Sequence, residues 1–303
     1  MPSPPLPWDH LVGDDGSYEV FAPRHRPLEQ RGLVRTLTGY LEHAAAPSTR
    51  IERATADVIL IFEISEPIGM DTREGHRRFH EGGFVAGLDD LPTPTALSTR
   101  HAGIEVRLTP RAARRILRQP LSEVARRVVP VTELFDGEDR HLPEKLHDTD
   151  DWGRRLALVD ELLSRRLRVP VPDERRVARA FALLSAGQPV GLTADELGLS
   201  VTHLERLFAD HFGVPPSVVG RLHRIDRLVA ALRKRPDRPW AELAHALGFA
   251  DQPHLSREVK RLTGLTPTTL RASLGLAPEQ LTPREDADLL LDVESVQDAW
   301  PRP

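Results

Sequence analysis

Two short stretches of the chain carry side chains suited to reading flat hydrogen-bonding edges. One is LGLSVTHLERLFADHFGVPP, from residue 197; the other is LGFADQPHLSREVKRLTGLTP, from residue 247. Thr202, Glu205 and Arg206 lie off the apolar stripe of the first, and Gln252, Ser256 and Arg257 off that of the second. A guanidinium donates two parallel hydrogen bonds to guanine, a carboxamide pairs bidentately with adenine, and a carboxylate accepts from the cytosine amine. Carried along one rod, such side chains form a reader of base edges.

The two stretches are copies of one unit. His203-Leu204 aligns with His254-Leu255 at an offset of 51, which holds through Arg206/Arg257, Gly213/Gly264 and Pro216/Pro267. Leu197-Gly198 and Leu247-Gly248 align at an offset of 50, so the second turn is one residue longer. Self-similarity of this size marks a supersecondary unit used twice.

The elements that must position these side chains follow from apolar spacing. Leu204, Leu207, Phe208, His211 and Phe212 recur at helical intervals and predict one buried face, as do Leu255, Val259 and Leu262. Trp240, Leu243, Ala244 and Leu247 mark the inner face of the helix before the second turn. Ser200 and Asp251 are placed to cap, Pro253 suits a first turn, and Gly213, Gly248 and Gly264 suit left-handed helix stops. Each copy therefore reads as helix-turn-helix, whose second helix enters the major groove in DNA-binding versions. SVVGRLHRIDRLVAALRK between the copies predicts a long amphipathic helix. Such a spacer can present the two second helices to successive major grooves roughly 34 Å apart. Lys260, Arg261, Arg221 and Arg224 are the candidate phosphate contacts. Phosphate contacts set affinity and register rather than sequence choice.

Composition bounds the rest. The chain has 303 residues, 40% hydrophobic and 28% charged, enough for two domains. It has no cysteine, which excludes disulfides, thiolate metal sites and cysteine nucleophiles and points to a reducing cytoplasm. No apolar run approaches the ~18 residues of a membrane helix, and MPSPPLPWDH lacks the layout of a secretion signal. Net charge is −4, yet residues 173–276 hold 15 Lys and Arg against 11 Asp and Glu, whereas residues 277–303 hold 2 against 7. The repeated unit thus sits in a net-positive region followed by an acidic stretch.

The expected organisation is α+β. Residues 1–30 read as an irregular arm, and 31–170 as a sensor or oligomerisation domain, β-rich to about 109 and then helical. Residues 171–276 read as an all-α DNA-binding domain and 277–303 as a flexible acidic tail with a short helix near 287–293. VRTLTGYLEH, TRIERAT, VILIFEIS, GFVAGL and GIEVRLT are the strand candidates. PRAARRILRQPLSEVARRV, VTELFDGEDRHLPEKLHD and WGRRLALVDELLSRRLRV are the helical ones, and VPVPDE at 169–174 is the linker.

The region from Arg175 to Leu274 resembles the DNA-binding domain of AraC/XylS-type transcription regulators. Its Gly-Phe-x-Asp-x-x-His core, Ser-Arg pair and Gly-x-Thr-Pro ending in the second copy are similar to that family's hallmark. Leu255 and Val259 stand where phenylalanine is usual, Thr193 where leucine is common, and Pro253 where a polar residue is frequent. The resemblance implies a partner in double-stranded promoter DNA, and activation through RNA polymerase more than repression. It implies base-facing roles for Thr202, Glu205, Arg206, Gln252, Ser256 and Arg257. GFVAGL, GIEVRLTPRAARRIL and WGRRLALVDELLSRRL are similar to the cupin-like sensor domains of such regulators. Those domains imply a small-molecule effector and helices that support a homodimer.

Other chemistry is thinner. Tyr40, Phe62 and Phe84 either line a ligand pocket or pack a core. His76 and His80 offer half a metal site with no third ligand, so no metal or cofactor is expected. Arg111, Arg114, Arg115 and Arg118 form a basic run that meets solvent, an anion or DNA. No phosphate-cradling glycine loop or nucleophile elbow is present, so no enzyme is expected. The rival readings are a cupin-like enzyme with an accessory DNA-binding domain and a ligand-independent DNA binder.

Overall fold

Alternating apolar and polar side chains build the first half of the chain into two antiparallel sheets. The computed structural model describes residues 8–12, 18–23, 33–79, 82–168 and 174–276. The larger sheet has seven strands in the order β1 (Trp8–Val12), β2 (Tyr18–Pro23), β3 (Val34–His43), β10 (Arg100–Leu108), β5 (Val58–Glu63), β8 (Phe84–Ala86) and β11 (Val128–Pro130). The smaller has four, ordered β4 (Ser48–Glu52), β9 (Thr93–Leu97), β6 (Ile68–Thr72) and β7 (Gly75–Phe79).

Strand periodicity sends alternate residues to opposite faces. On β10, Ile104, Val106 and Leu108 are fully buried and belong to the core shared with the helices. Gly103, Glu105 and Arg107 alternate with them and turn toward the smaller sheet. That core is closed by α1 (Pro110–Leu117) and α4 (Trp152–Leu167), whose Leu156, Val159, Leu162, Leu163 and Leu167 make the expected buried stripe. Trp152 at the start of α4 stacks on Phe21 with centroids 4.3 Å apart. Gly39 admits that indole: a Cβ there would stand 2.7 Å from the Trp152 ring.

Several local expectations are corrected. Residues 1–30 are not an irregular arm throughout, because β1 pairs with β2 and β2 with β3. The long β3 supplies the ladder partner that this short segment cannot supply alone. The helix expected over 110–128 stops at Leu117, where Arg118 turns left-handed at φ 57° and Pro120 follows. Val128 and Val129 are instead claimed by the free edge of β8. VTELFDGEDRHLPEKLHD divides into α2 (Val131–Leu134), a 3-10 turn at Gly137–His141 and α3 (Leu142–His147), with Gly137 at φ 55°. The β6–β7 hairpin and β9 went unmarked in the sequence. Of the linker expected at 169–174, Glu174 already begins a helix, and residues 169–173, like the acidic stretch from 277, lie outside the described residues.

The second half is helical. It comprises α5 (Glu174–Ser185), α6 (Val190–Glu196), α7 (Val201–Phe212), α8 (Pro216–Lys234), α9 (Trp240–Ala246), α10 (Gln252–Thr263) and α11 (Pro267–Leu276). The long helix α8 is its axis, and Leu222, Ile225, Leu228 and Val229 on it are fully buried. Leu204 and Phe208 of α7 and Leu255, Val259 and Leu262 of α10 complete the same core.

His223 lies within that core, 2.7 Å from the Ser185 hydroxyl and edge-on to Phe181. Burial lowers its pKa to about 4 from 6.5, against the pull of Asp226. The folded chain therefore holds His223 neutral, while the unfolded chain takes up a proton below about pH 6.5. Stability from this residue is complete above that pH and is lost progressively as pH falls toward about 4. We expect His223 to cost about 2 kcal/mol of stability between pH 7.5 and pH 5. Urea denaturation of wild type and His223→Leu at the two pH values checks this. Equal pH losses in both would exclude the histidine as the source.

Candidate functional site

The two second helices of the repeat are fixed at both ends by the residues their sequences supply. The Ser200 hydroxyl accepts from the His203 backbone N–H at 3.2 Å at the start of α7, and the Asp251 carboxylate accepts from that of His254 at 2.6 Å at the start of α10. Gly213 and Gly264 close the two helices in left-handed conformation, at φ 67° and 73°. Gly198 and Gly248, in the tight turns, have φ 65° and 74°. A left-handed residue at each of these places is inexpensive only for glycine.

Capped in this way, the helices carry their apolar faces inward and their first turns outward. Thr202, Glu205 and Arg206 on α7 are exposed, as are Gln252 and Arg257 on α10. Ser256 is half-buried and its hydroxyl donates to the Gln252 carbonyl at 3.0 Å. That bond commits its proton, so its remaining role is as an acceptor. Lys260 is exposed and donates to the Gly264 carbonyl at 2.6 Å.

The other three candidate phosphate contacts are engaged within the chain. Arg224 lies over the Phe249 ring at 5.3 Å and donates to the Gly248 carbonyl at 3.2 Å, bracing the second turn. Arg221 and Arg261 both reach Asp90 in the loop before β9, at 3.0 and 2.5 Å. In this conformation they are contacts between the two halves of the chain, not freely presented cations. Arg73 at 3.1 Å and Arg126 at 3.6 Å complete a ring of four guanidiniums around a carboxylate whose side chain is 5% exposed. Burial works against ionisation of Asp90, but Arg126, Arg261 and Arg221 outweigh it and hold the carboxyl below its ordinary range. Nothing in GLDD marks that role, since its partners come from α8, α10 and distant loops.

Further contacts join the halves. Asp226 on α8 pairs with Arg53 at 2.6 Å and accepts from the Ala56 backbone N–H at 3.1 Å. Burial again opposes its charge, and Arg53 and the Ala56 N–H prevail. The Ala54 N–H donates to the carbonyl of Leu262 on α10 at 2.8 Å. Arg114, from the basic run on α1, meets His211 on α7. Gly213 is packed so closely that a Cβ would stand 2.4 Å from Ala125 and 2.7 Å from the Ser122 backbone. Gly264 likewise lies against Ile51. The C-terminal ends of both helices therefore abut the β-rich half, while their first turns face away from their own core.

Between the two sheets lies a cavity of about 170 Å³. Tyr40 and Phe84, which are also packed in the interior at 9% and 4% exposure, line it. Phe62 does not: on β5, Ile59 and Ile61 face the cavity, so Phe62 faces the helices, fully buried and stacked on Phe135 at 6.1 Å. His76 lies on β7 with Nδ1 2.7 Å from Asp71, and His80 lies outside the described residues. Among the described residues, no group of three His, Asp or Glu side chains is arranged to hold a metal ion, and no helix is long and apolar enough to cross a membrane.

Residues 193–273 match the family model described as a helix-turn-helix domain. No curated protein matches the chain. Among solved structures, ToxT from Vibrio cholerae is similar over 78% of this chain and 97% of its own, at 10% identity and a TM-score of 0.47. A transcriptional regulator with an AraC-type DNA-binding domain from Chromobacterium violaceum matches 34% of this chain and 94% of its own, at 25% identity and a TM-score of 0.31. The AraC-like transcriptional activator CuxR matches 74% of this chain and 86% of its own, at 17% identity and a TM-score of 0.29.

Proposed function

We propose, from the premise that residues 193–273 form a helix-turn-helix domain, that the chain is an AraC-type transcription regulator binding double-stranded promoter DNA sequence-specifically. The observation that carries this reading is the duplicated, doubly capped helix with exposed hydrogen-bonding side chains on its first turns. Thr202, Glu205 and Arg206 read one major-groove segment, and Gln252, Ser256 and Arg257 read the next. Lys260 contacts the backbone. The chain acts as an activator through RNA polymerase, as a homodimer, and has no catalytic role of its own.

The cavity between the sheets is the effector site of this reading, and its walls continue into the contact between the halves. Arg53 lines the cavity and also binds Asp226. Asp89 lines it next to Asp90. Occupancy thus bears directly on the contacts that hold Arg221 and Arg261. A ligand shifts such an equilibrium only through unequal affinity for the two states, and these shared segments provide that inequality.

Selection of binding sites by the full chain from random duplexes tests the proposal. The expected product is a bipartite motif whose halves are about one helical turn apart, roughly 10 bp. Retention of DNA without any enriched motif would leave only a non-specific binder.

A further inference from the structure

Resting on the reading of the inter-sheet cavity as the effector site, we propose that its ligand is an organic cation, an amine with a compact apolar body, and that Glu105 is the counter-ion. The chemistry of the walls carries this. Five carboxylates line the cavity (Glu42, Glu52, Asp57, Asp89 and Glu105) against three guanidiniums (Arg50, Arg53 and Arg107) and the imidazole of His101, which lies 3.3 Å from Glu63.

All three guanidiniums are committed elsewhere. Arg50 pairs with Glu42. Arg53 pairs with Asp226 at 2.6 Å. Arg107 lies 3.4 Å from Asp57 and donates to the Thr55 hydroxyl at 3.0 Å. Glu105 is left with only a distant share of Arg107, at 3.8 Å. Its side chain is 16% exposed and its Oε1 atom is buried without a hydrogen-bond partner. A carboxylate in that position takes up either a proton or a cation, because an uncompensated buried charge is costly.

The titration of Glu105 agrees with this geometry. Burial raises its pKa to about 7, Arg107 opposes the shift, and Glu52 and Asp57 add to it. An incoming ammonium would restore the ionised form. An anionic ligand would meet Glu105 and find the lining guanidiniums already paired.

The remaining walls suit the rest of such a molecule. Tyr18 and Tyr40 line the cavity, and Tyr40 stacks on His101 with centroids 5.5 Å apart. Tyr40 lies across Gly103, where a Cβ would stand 2.7 Å from its hydroxyl, so glycine is what lets the ring reach this position. Ile61, Ile68, Met70, Phe84 and Leu97 supply the apolar surface for the body.

Calorimetry of the full chain with three probes that share a phenylethyl body tests the assignment: 2-phenylethylamine, 2-phenylethanol and 3-phenylpropanoate. The amine is expected to bind about tenfold more tightly than the alcohol, and the carboxylate not at all. Glu105→Gln should remove the advantage of the amine and leave alcohol binding unchanged, which also shows that the cavity is intact. Carboxylate binding equal to that of the amine, or an amine affinity indifferent to Glu105→Gln, would overturn the cation while leaving the cavity as a ligand site. Failure of all three probes at millimolar concentration would overturn both. Amine binding that leaves DNA affinity unchanged would support the ligand class and remove the effector reading beneath it.

Discussion

Replacing Asp90 with alanine is expected to raise the affinity of the full chain for DNA and to steepen its dependence on salt. Asp90 neutralises Arg221 and Arg261 from the helical half and is itself buried among four guanidiniums. Removing Asp90 leaves four guanidiniums facing one another without their shared carboxylate, and their partial exposure, 45% for Arg261 and 21% for Arg221, keeps the loss below that of a fully buried pair. The cluster is relieved by separation of the halves, which returns two arginines to solvent. Each additional phosphate contact steepens the salt slope by about 0.9, so two add close to 2. A coupling of ordinary size, about 1–3 kcal/mol, corresponds to roughly a five- to 150-fold gain in affinity. Fluorescence anisotropy on one duplex across a salt series reads both quantities. Asp89→Ala is the control, because Asp89 pairs with Arg73 rather than with either arginine of the helical half. An Asp90→Ala slope equal to that of wild type would mean that neither arginine is withheld from DNA.

The second large effect separates two residues three positions apart on α10. Arg257→Ala should cost about 1–3 kcal/mol at one base position and relax the preference there, because a guanidinium reads guanine through two parallel bonds. Lys260→Ala should weaken binding to all duplexes alike and lower the salt slope by about 0.9. The side chains differ in placement as well as chemistry: Arg257 lies on the outward face near the start of α10, and Lys260 folds back onto the helix end at Gly264. Binding of both variants to a panel with single-base changes distinguishes them. Identical losses across the panel would show that Arg257 does not read bases.

These predictions draw on different layers of information. The sequence by itself determined the repeat and its local geometry. Ser200 and Asp251 cap the helices named for them, Gly213 and Gly264 end them, and the apolar stripe of α4 is buried as spaced. Such features depend on residues within a few positions of one another, where propensity and periodicity act directly. Tyr40 and Phe84 lie both in the packed interior and on the cavity, two alternatives that local spacing does not separate, and the strand parity of β5 turns Phe62 to the helices. Tertiary structure decided what depends on distant partners. β2 needs the edge of β3, Val128 and Val129 needed β8 to become a strand, and Asp90 became an ionic hub only when α8 and α10 brought Arg221 and Arg261 to it. No local rule brings 131 or 171 residues of separation into one contact; that required the two halves to pack.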